Sequence, residues 1–460
     1  MTGPELHVSG GVGGTSARYE DLATLGRHSD DVARQLATVS AECHGILLDP
    51  DLLASALLDP GGVARIQALL LAALDGPGGL SALAAGFGRR SAALRASAAS
   101  YRGADEASRS ALTCLRWAAG HAAGATVVAG LPVLAGVAGP ALAYEALGGD
   151  IDYERLIVEH PGVVDAVVGA GPGLLSSVPG LATGDVPGAA ALLAQFYPDG
   201  RPEVTDLGVA DPTAPGAGVL ARAPAGFGDL LGGLDHRNAR ADADAPDQID
   251  VRVVGGRAGD TAYIVDIPGT KVWNAPGAHS PALHDLGTNL HALAGESTTR
   301  QHAVAEALRR AGAGPDDPVM LVGHSQGGLV AAQAARDSGA GGFAFNVTHV
   351  VAVGAPIGHV VAPSHVQVLS LENRHDIVPR LDAAENRDRP NVTTVSFDSQ
   401  LGSIGANHST SRSYLPAAVA LDASPTPSVR AFRDSAVAFM PTEDAGTTTR
   451  THVYALTRQP

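Results

Sequence analysis

The sequence predicts a helical N-terminal region followed by an α/β domain with a mostly parallel sheet. Three observations carry this. A helical apolar stripe opens the chain, short β-rich runs alternate with helical stretches after about residue 248, and one such run ends in a Gly-x-Ser-x-Gly turn at Gly323–Gly327.

The stripe runs through Leu22, Leu25, Val32, Leu36, Val39, Cys43 and Ile46 at 3-4 spacing, with Ser29 filling one gap. A second stripe runs through Leu80, Leu83, Phe87, Leu94 and Tyr101, after helical pieces broken at Pro50, Pro60 and Pro77. Two long stripes with a broken connection predict an antiparallel helical pair over 1–117. Residues 118–144 carry no Asp, Glu, Lys or Arg, enough to cross a bilayer by length. Pro132 and Pro140 interrupt an Ala-, Gly- and Val-rich run, which favours a buried or interfacial hairpin over a transmembrane span. From 151 to 245 the chain reads as a connector with short helices, and 118–247 as a whole is a candidate cover for a neighbouring site. The polar run 236–248, HRNARADADAPDQ, reads as a linker.

The third region, 248–460, holds the α/β domain at about 248–440. Strands are expected at Ile249–Val254, Ala262–Ile267, Val319–Val322, Val350–Val353, Val366–Leu371 and Asn391–Phe397. Helices are expected at His291–Ala311 and Gly327–Arg336, a last helix at Ser428–Phe439 and a terminal strand at Thr451–Thr457.

Composition limits the partners. The 460 residues carry 31 Lys+Arg against 47 Asp+Glu, a net charge of −16, which argues against nucleic acid and anionic membranes. Lys271 is the only lysine. The two cysteines, Cys43 and Cys114, exclude a Cys-rich metal site; a single bridge and two free thiols are both compatible with them. No metal or organic cofactor is expected, because no ligand cluster has suitable spacing. The first residues lack the basic and apolar regions of a conventional signal peptide.

The chemistry concentrates in PVMLVGHSQGGLVAAQAA. A β run ends at Gly323 and an Ala-rich helix starts near Gln326, the strand–turn–helix setting of a nucleophile elbow with Ser325 at its tip. A serine needs a base, and the base needs an orienting carboxylate. With chain order Ser, acid, His, the acid is Asp376 in ENRHDIVPRL, with Glu372 as second choice. The base is His408 in GSIGANHSTSRSY, ahead of His452. His324, His359, His365 and His375 fail the order and read as supporting or surface groups. The oxyanion needs two N–H donors: Gln326 at the helix N-terminus, and Thr270 in the loop after AYIVDI, whose hydroxyl is a further candidate donor.

With these residues in view, the chain resembles the α/β-hydrolases, and within them the class 3 lipase type. The motifs over about 265–415 are IPGT, VGHSQGG, VAVGAPIG, ENRHDIVPRL and NHSTSRSY. The resemblance implies nucleophile Ser325, acid Asp376, base His408 and oxyanion residues Thr270 and Gln326. Pro268 stands where that family more often has Arg, and no aromatic lipid-binding lid is evident between Thr270 and Gly323. The N-terminal region is similar to helical-hairpin substrates of type VII secretion through Tyr101-Arg-Gly-Ala-Asp105, a Y-x-x-x-D/E pattern, although their W-x-G turn is missing. That likeness implies a helical partner or secretion machinery and a secreted or envelope location; without it, the cytoplasm. The expected activity is hydrolysis of a small-molecule or lipid ester through an acyl-enzyme. Acyl transfer on the same triad, or a partner-binding protein on a non-catalytic hydrolase scaffold, are the alternatives.

Overall fold

The computed structural model describes residues 4–128, 153–256, 260–441 and 447–459. Most of the apolar segment 118–144 therefore lies outside the described residues. Two compact units separate, one of residues 15–110 and one combining 1–14 with 111–460. This differs from the three-part division at 1–117, 118–247 and 248–460, because strand β1 (Leu6–Gly10) pairs antiparallel with a strand near residue 395.

The smaller unit contains α1 (Thr15–Ile46), α2 (Pro50–Ser55), α3 (Pro60–Asp75) and the start of α4 (Leu80–Val128). Asp49 and Asp59 cap α2 and α3 ahead of Pro50 and Pro60, so both prolines occupy first-turn positions where a missing N–H costs nothing. Helices α1 and α4 run antiparallel: Ser40 Oγ lies 3.1 Å from Ser81 Oγ, a side chain at Gly26 would meet the Ser91 carbonyl, and Tyr19 stacks on Tyr101 at 5.7 Å. The buried seam is made of Gly26, Ser29, Ser40, Ser91 and Ala98, with Leu22, Leu36, Cys43, Leu80, Phe87 and Leu94 of the predicted stripes half-buried beside it. Leu25, Val32, Val39 and Ile46, seven residues apart, are exposed. Small residues let the helix backbones approach closely, which leaves this half of the stripe outward. Tyr101 and Asp105 both engage Tyr19, by stacking and by a 3.2 Å bond from its hydroxyl.

The larger unit is a three-layer α/β/α sandwich. After α5 (Tyr153–Glu159), α6 (Gly162–Ser176) and α7 (Val186–Ala194) come β2 (Arg201–Val209), α8 (Phe227–Arg240), β3 (Asp247–Gly255) and β4 (Thr261–Ile267). Next are α9 (Leu286–Leu293), α10 (Thr299–Arg310), β5 (Pro318–His324), α11 (Gln326–Gly339), β6 (Asn346–Val353), β7 (Gln367–Asn373) and β8 (Val392–Phe397). The chain finishes with α12 (Ile404–Asn407), α13 (Leu415–Asp422), α14 (Pro427–Ser435) and β9 (Thr448–Gln459). The strand order is β1-β8-β7-β6-β5-β4-β3-β9-β2. The sheet is mixed: β4 to β8 are parallel, whereas β3, β9 and β2 on one side and β1 on the other pair antiparallel.

Both faces of the central strands are apolar because both are covered. Along β4, Tyr263, Val265 and Ile267 face a core completed by α10 and α11. Ala262 and Ile264 face a second core completed by Phe227, Leu230 and Leu234 of α8 and by α13 and α14. Two expectations are corrected. Gly295 and the Thr298 cap split the single helix expected at His291–Ala311 into α9 and α10. The run expected to be a linker begins inside α8: residues 236–240 belong to the helix, 241–246 form the largely exposed connection to β3, and several of its polar residues are buried with partners. Arg237 is 4% exposed and bonds Gln248 at 2.7 Å and the buried Asp250. The polarity of Arg237 reflects ion pairing under the sheet, whereas Arg240, Asp242 and Asp244 are exposed.

Candidate active site

The predicted site residues gather at the carboxyl ends of the parallel strands, where the βα loops of such a sheet converge. Thr270 lies after β4, Ser325 after β5, Asp376 after β7 and His408 after β8.

Ser325 has φ 55° and ψ −123°, one of two non-glycine residues with positive φ among those described. The strain comes from the tight reversal between β5 and α11. A side chain on Gly323 would lie 2.2 Å from the Gly327 carbonyl, and one on Gly327 would lie 2.2 Å from the Ile267 carbonyl, so glycine is required at both. Ser325 N–H donates to Val353 O at 2.8 Å, which ties the elbow to β6.

Asp376 and His408 meet: His408 Nδ1 donates to Asp376 Oδ2 at 2.6 Å. Asp376 is 1% exposed, and its Oδ1 also accepts the Val378 N–H at 3.0 Å. With Nδ1 committed to the carboxylate, Nε2 is the free ring nitrogen of His408. Among the described residues Ser325 Oγ and His408 Nε2 have no hydrogen-bond partner. The His324 ring, on the residue before the serine, lies 4.3 Å from the His408 ring and donates from Nε2 to His408 O at 2.9 Å. Burial first, then the neighbouring His408, push the His324 pKa well below its ordinary value. A neutral His324 adds no competing positive charge beside the base.

Glu372, the second candidate acid, bonds Ser370 and Asn386 instead. Burial raises its pKa to about 7, so it is a poor partner for an imidazolium. His452 lies within β9, stacked on Tyr454.

Neither the Thr270 N–H nor the Gln326 N–H has an acceptor among the described residues. The Thr270 hydroxyl accepts the Asn289 amide N–H at 2.9 Å and donates to Asn289 Oδ1 at 3.2 Å, so the hydroxyl donor considered from sequence is engaged elsewhere. Gln326 is fixed from both sides: its Oε1 accepts Arg300 Nη1 at 2.6 Å and its Nε2 donates to Asp285 O at 2.7 Å. Arg300, fully buried, is itself held by Asp247 at 2.8 and 2.9 Å.

Several supporting residues escaped the sequence reading. Asn238 of α8 accepts the Gly269 N–H at 3.2 Å and bonds Thr410, linking the loops that carry Thr270 and His408. Tyr414 donates to Asp376 Oδ2 at 2.6 Å. Segments from the candidate cover, and Arg116 just before it, contact the same loops. Glu154 accepts the Ile404 N–H at 2.9 Å, Val158 O bonds His375 at 3.0 Å, Asp165 pairs with Arg380, and Arg116 donates to Ala383 O at 3.0 Å. No single-residue pattern marks these roles; they appear only when distant loops converge.

Cys43 and Cys114 are both free thiols. Among the described residues no cluster of His, Cys, Asp and Glu has the arrangement of a metal site.

No curated protein and no solved structure gives a significant match to the chain. Residues 257–378, which include Thr270, Ser325, Gln326 and Asp376 but stop short of His408, match the family model described as alpha/beta hydrolase. Together with the sheet and elbow, the match supports an α/β-hydrolase fold for the C-terminal part of the chain.

Proposed function

We propose that this hydrolase domain is a serine hydrolase that cleaves carboxylic esters through an acyl-enzyme. The observation that carries the reading is the short His408–Asp376 bond beside a strained serine elbow whose neighbouring N–H groups are unbonded.

In this reading Ser325 Oγ attacks the ester carbonyl while His408 Nε2 takes its proton. Asp376 stabilises the resulting imidazolium, and the N–H groups of Thr270 and Gln326 hold the oxyanion. Collapse of the tetrahedral intermediate expels the alcohol, which takes the proton from His408. Water activated by the same histidine then attacks the acyl-enzyme, and release of the carboxylic acid restores Ser325. The likeness to class 3 lipases in IPGT, VGHSQGG and ENRHDIVPRL supports an acyl or lipid ester as substrate.

Turnover of a short-chain p-nitrophenyl ester by the full chain, compared with Ser325→Ala, tests the proposal. The expected loss is about 10⁴-fold or more. Equal rates in two folded proteins exclude Ser325 as the nucleophile.

A further inference from the structure

The His408 loop carries a second group aimed at Asp376. Directly after α12 the chain makes one π-helical turn, Thr410–Tyr414, in which Tyr414 N–H reaches back to Ser409 O. A π turn inserts one extra residue and rotates the residues after it to a new face, a feature often found at functional sites. Here it brings Tyr414 inward, fully buried, with its ring perpendicular to Phe397 at 5.4 Å and edge-on to His324 at 6.2 Å.

The Tyr414 hydroxyl accepts the Asn373 N–H at 3.3 Å and donates to Asp376 Oδ2 at 2.6 Å. That is the same oxygen that accepts His408 Nδ1, also at 2.6 Å. The end of β6 leaves room for the arrangement. Gly354 has φ +57°, and a side chain there would lie 2.8 Å from Tyr414 Oη and 3.0 Å from Asp376 Oδ2. A phenylalanine would pack the same space, so burying a hydroxyl here calls for a polar role.

We infer that Tyr414 is a positioning residue of the hydrolase site: by sharing Asp376 Oδ2 with His408 it sets how strongly the carboxylate holds the histidine. The inference rests on the ester-hydrolase reading for its link to turnover. Two donors on one oxygen divide its electron density, so the Tyr414 bond weakens the hold of Asp376 on the imidazolium. Among the described residues no arginine or lysine pairs with Asp376. The titratable groups around it are His324 on β5, kept neutral by burial, and Glu372 at the end of β7, buried and raised to about 7. Lys271, after Thr270, acts on His324. Burial, together with Asp376, pushes the Tyr414 pKa well above its usual value, so the phenol keeps its proton across the working range.

Without Tyr414 the carboxylate binds the imidazolium more tightly. In Tyr414→Phe the acid limb of the kcat/KM profile is expected to move to higher pH by about 0.5 to 1 unit. Site-specific 3-fluorotyrosine at 414, a stronger donor of almost unchanged shape, is expected to move the limb the other way and carries the test if the phenylalanine variant fails to fold. A merely structural role moves neither limb, and unmoved limbs overturn the inference. In a Ser325→Ala background, NMR titration of the His408 ring reads the same displacements without turnover. Absence of hydrolysis by the wild type would thus count against the ester reading, while the titration still decides the role of Tyr414.

Discussion

Arg300 is buried behind the proposed oxyanion site, and replacing it with methionine separates what it does for stability from what it does for the site. The guanidinium makes two bonds to Asp247, at 2.8 and 2.9 Å, and one to Gln326 Oε1 at 2.6 Å, all without exposure to solvent. Methionine fills much of the volume but leaves Asp247, 1% exposed, as an uncompensated buried carboxylate with only His284 nearby, at 3.9 Å. Breaking a buried pair from one side costs about 3 to 5 kcal/mol. In a unit of this size that lowers the melting temperature by on the order of 10 °C. Asp247→Asn combined with Arg300→Met removes the orphaned charge, and the double variant is expected to recover about 1 to 3 kcal/mol of the loss. Because Gln326 keeps its bond to Asp285 O, the elbow persists but loosens. We expect kcat to fall about tenfold, equivalent to about 1.4 kcal/mol, with KM little changed. Thermal unfolding followed by circular dichroism, alongside ester turnover, measures both. A single variant melting within about 1 °C of wild type, or a double variant no more stable than the single, refutes the reasoning.

Two further outcomes are expected. Asp376→Asn leaves the fold intact but presents an amide to His408 Nδ1, and turnover falls about 10⁴-fold; a loss below tenfold in a folded variant removes Asp376 from the proposed triad. His349, buried on β6 between Phe432 and Phe439 and bonded to Ser435 at 3.0 Å, has its pKa pushed by burial from 6.5 down to about 4. The folded state keeps it neutral while the unfolded chain takes a proton below pH 6.5. Its contribution is therefore present above that pH and is lost as pH falls through about 4, reaching about 3 kcal/mol. His349→Gln is expected to flatten the decline in stability between pH 6.5 and 4, and an unchanged slope in urea titrations sinks the argument.

The parts of the site legible in sequence were those fixed by local geometry. The elbow declares itself because Gly323 and Gly327 are needed within five residues of each other, and the acid and base are then picked out by chain order. The central strands β4 to β7 were legible because two-sided burial makes them short, largely apolar runs. The edge strands β1 and β2 were not. Each is held by pairing on one side only, and β2 is exposed along most of its length, so neither shows a core pattern. Helix α8 hid for a different reason: Arg237 and Asn238 read as solvent-facing polarity although they serve the buried Asp250 and the site loops. In the helical pair, periodicity gave the helices and half of the buried face: Leu22, Ser29, Leu36 and Cys43 are buried or half-buried, while Leu25, Val32, Val39 and Ile46 are exposed because the close approach at Gly26 and Ser40 leaves them no room. Tyr414 was out of reach because a π turn breaks the spacing from which its direction would be read.

The central claim is that Ser325 is an activated nucleophile. Treating the full chain with a fluorophosphonate, then mapping the adduct by peptide mass spectrometry, tests it most directly. The account predicts stoichiometric modification of the peptide carrying Ser325, abolished in Ser325→Ala and strongly slowed in His408→Ala. A folded wild-type protein that takes up no label, or takes it up at another residue, contradicts the account.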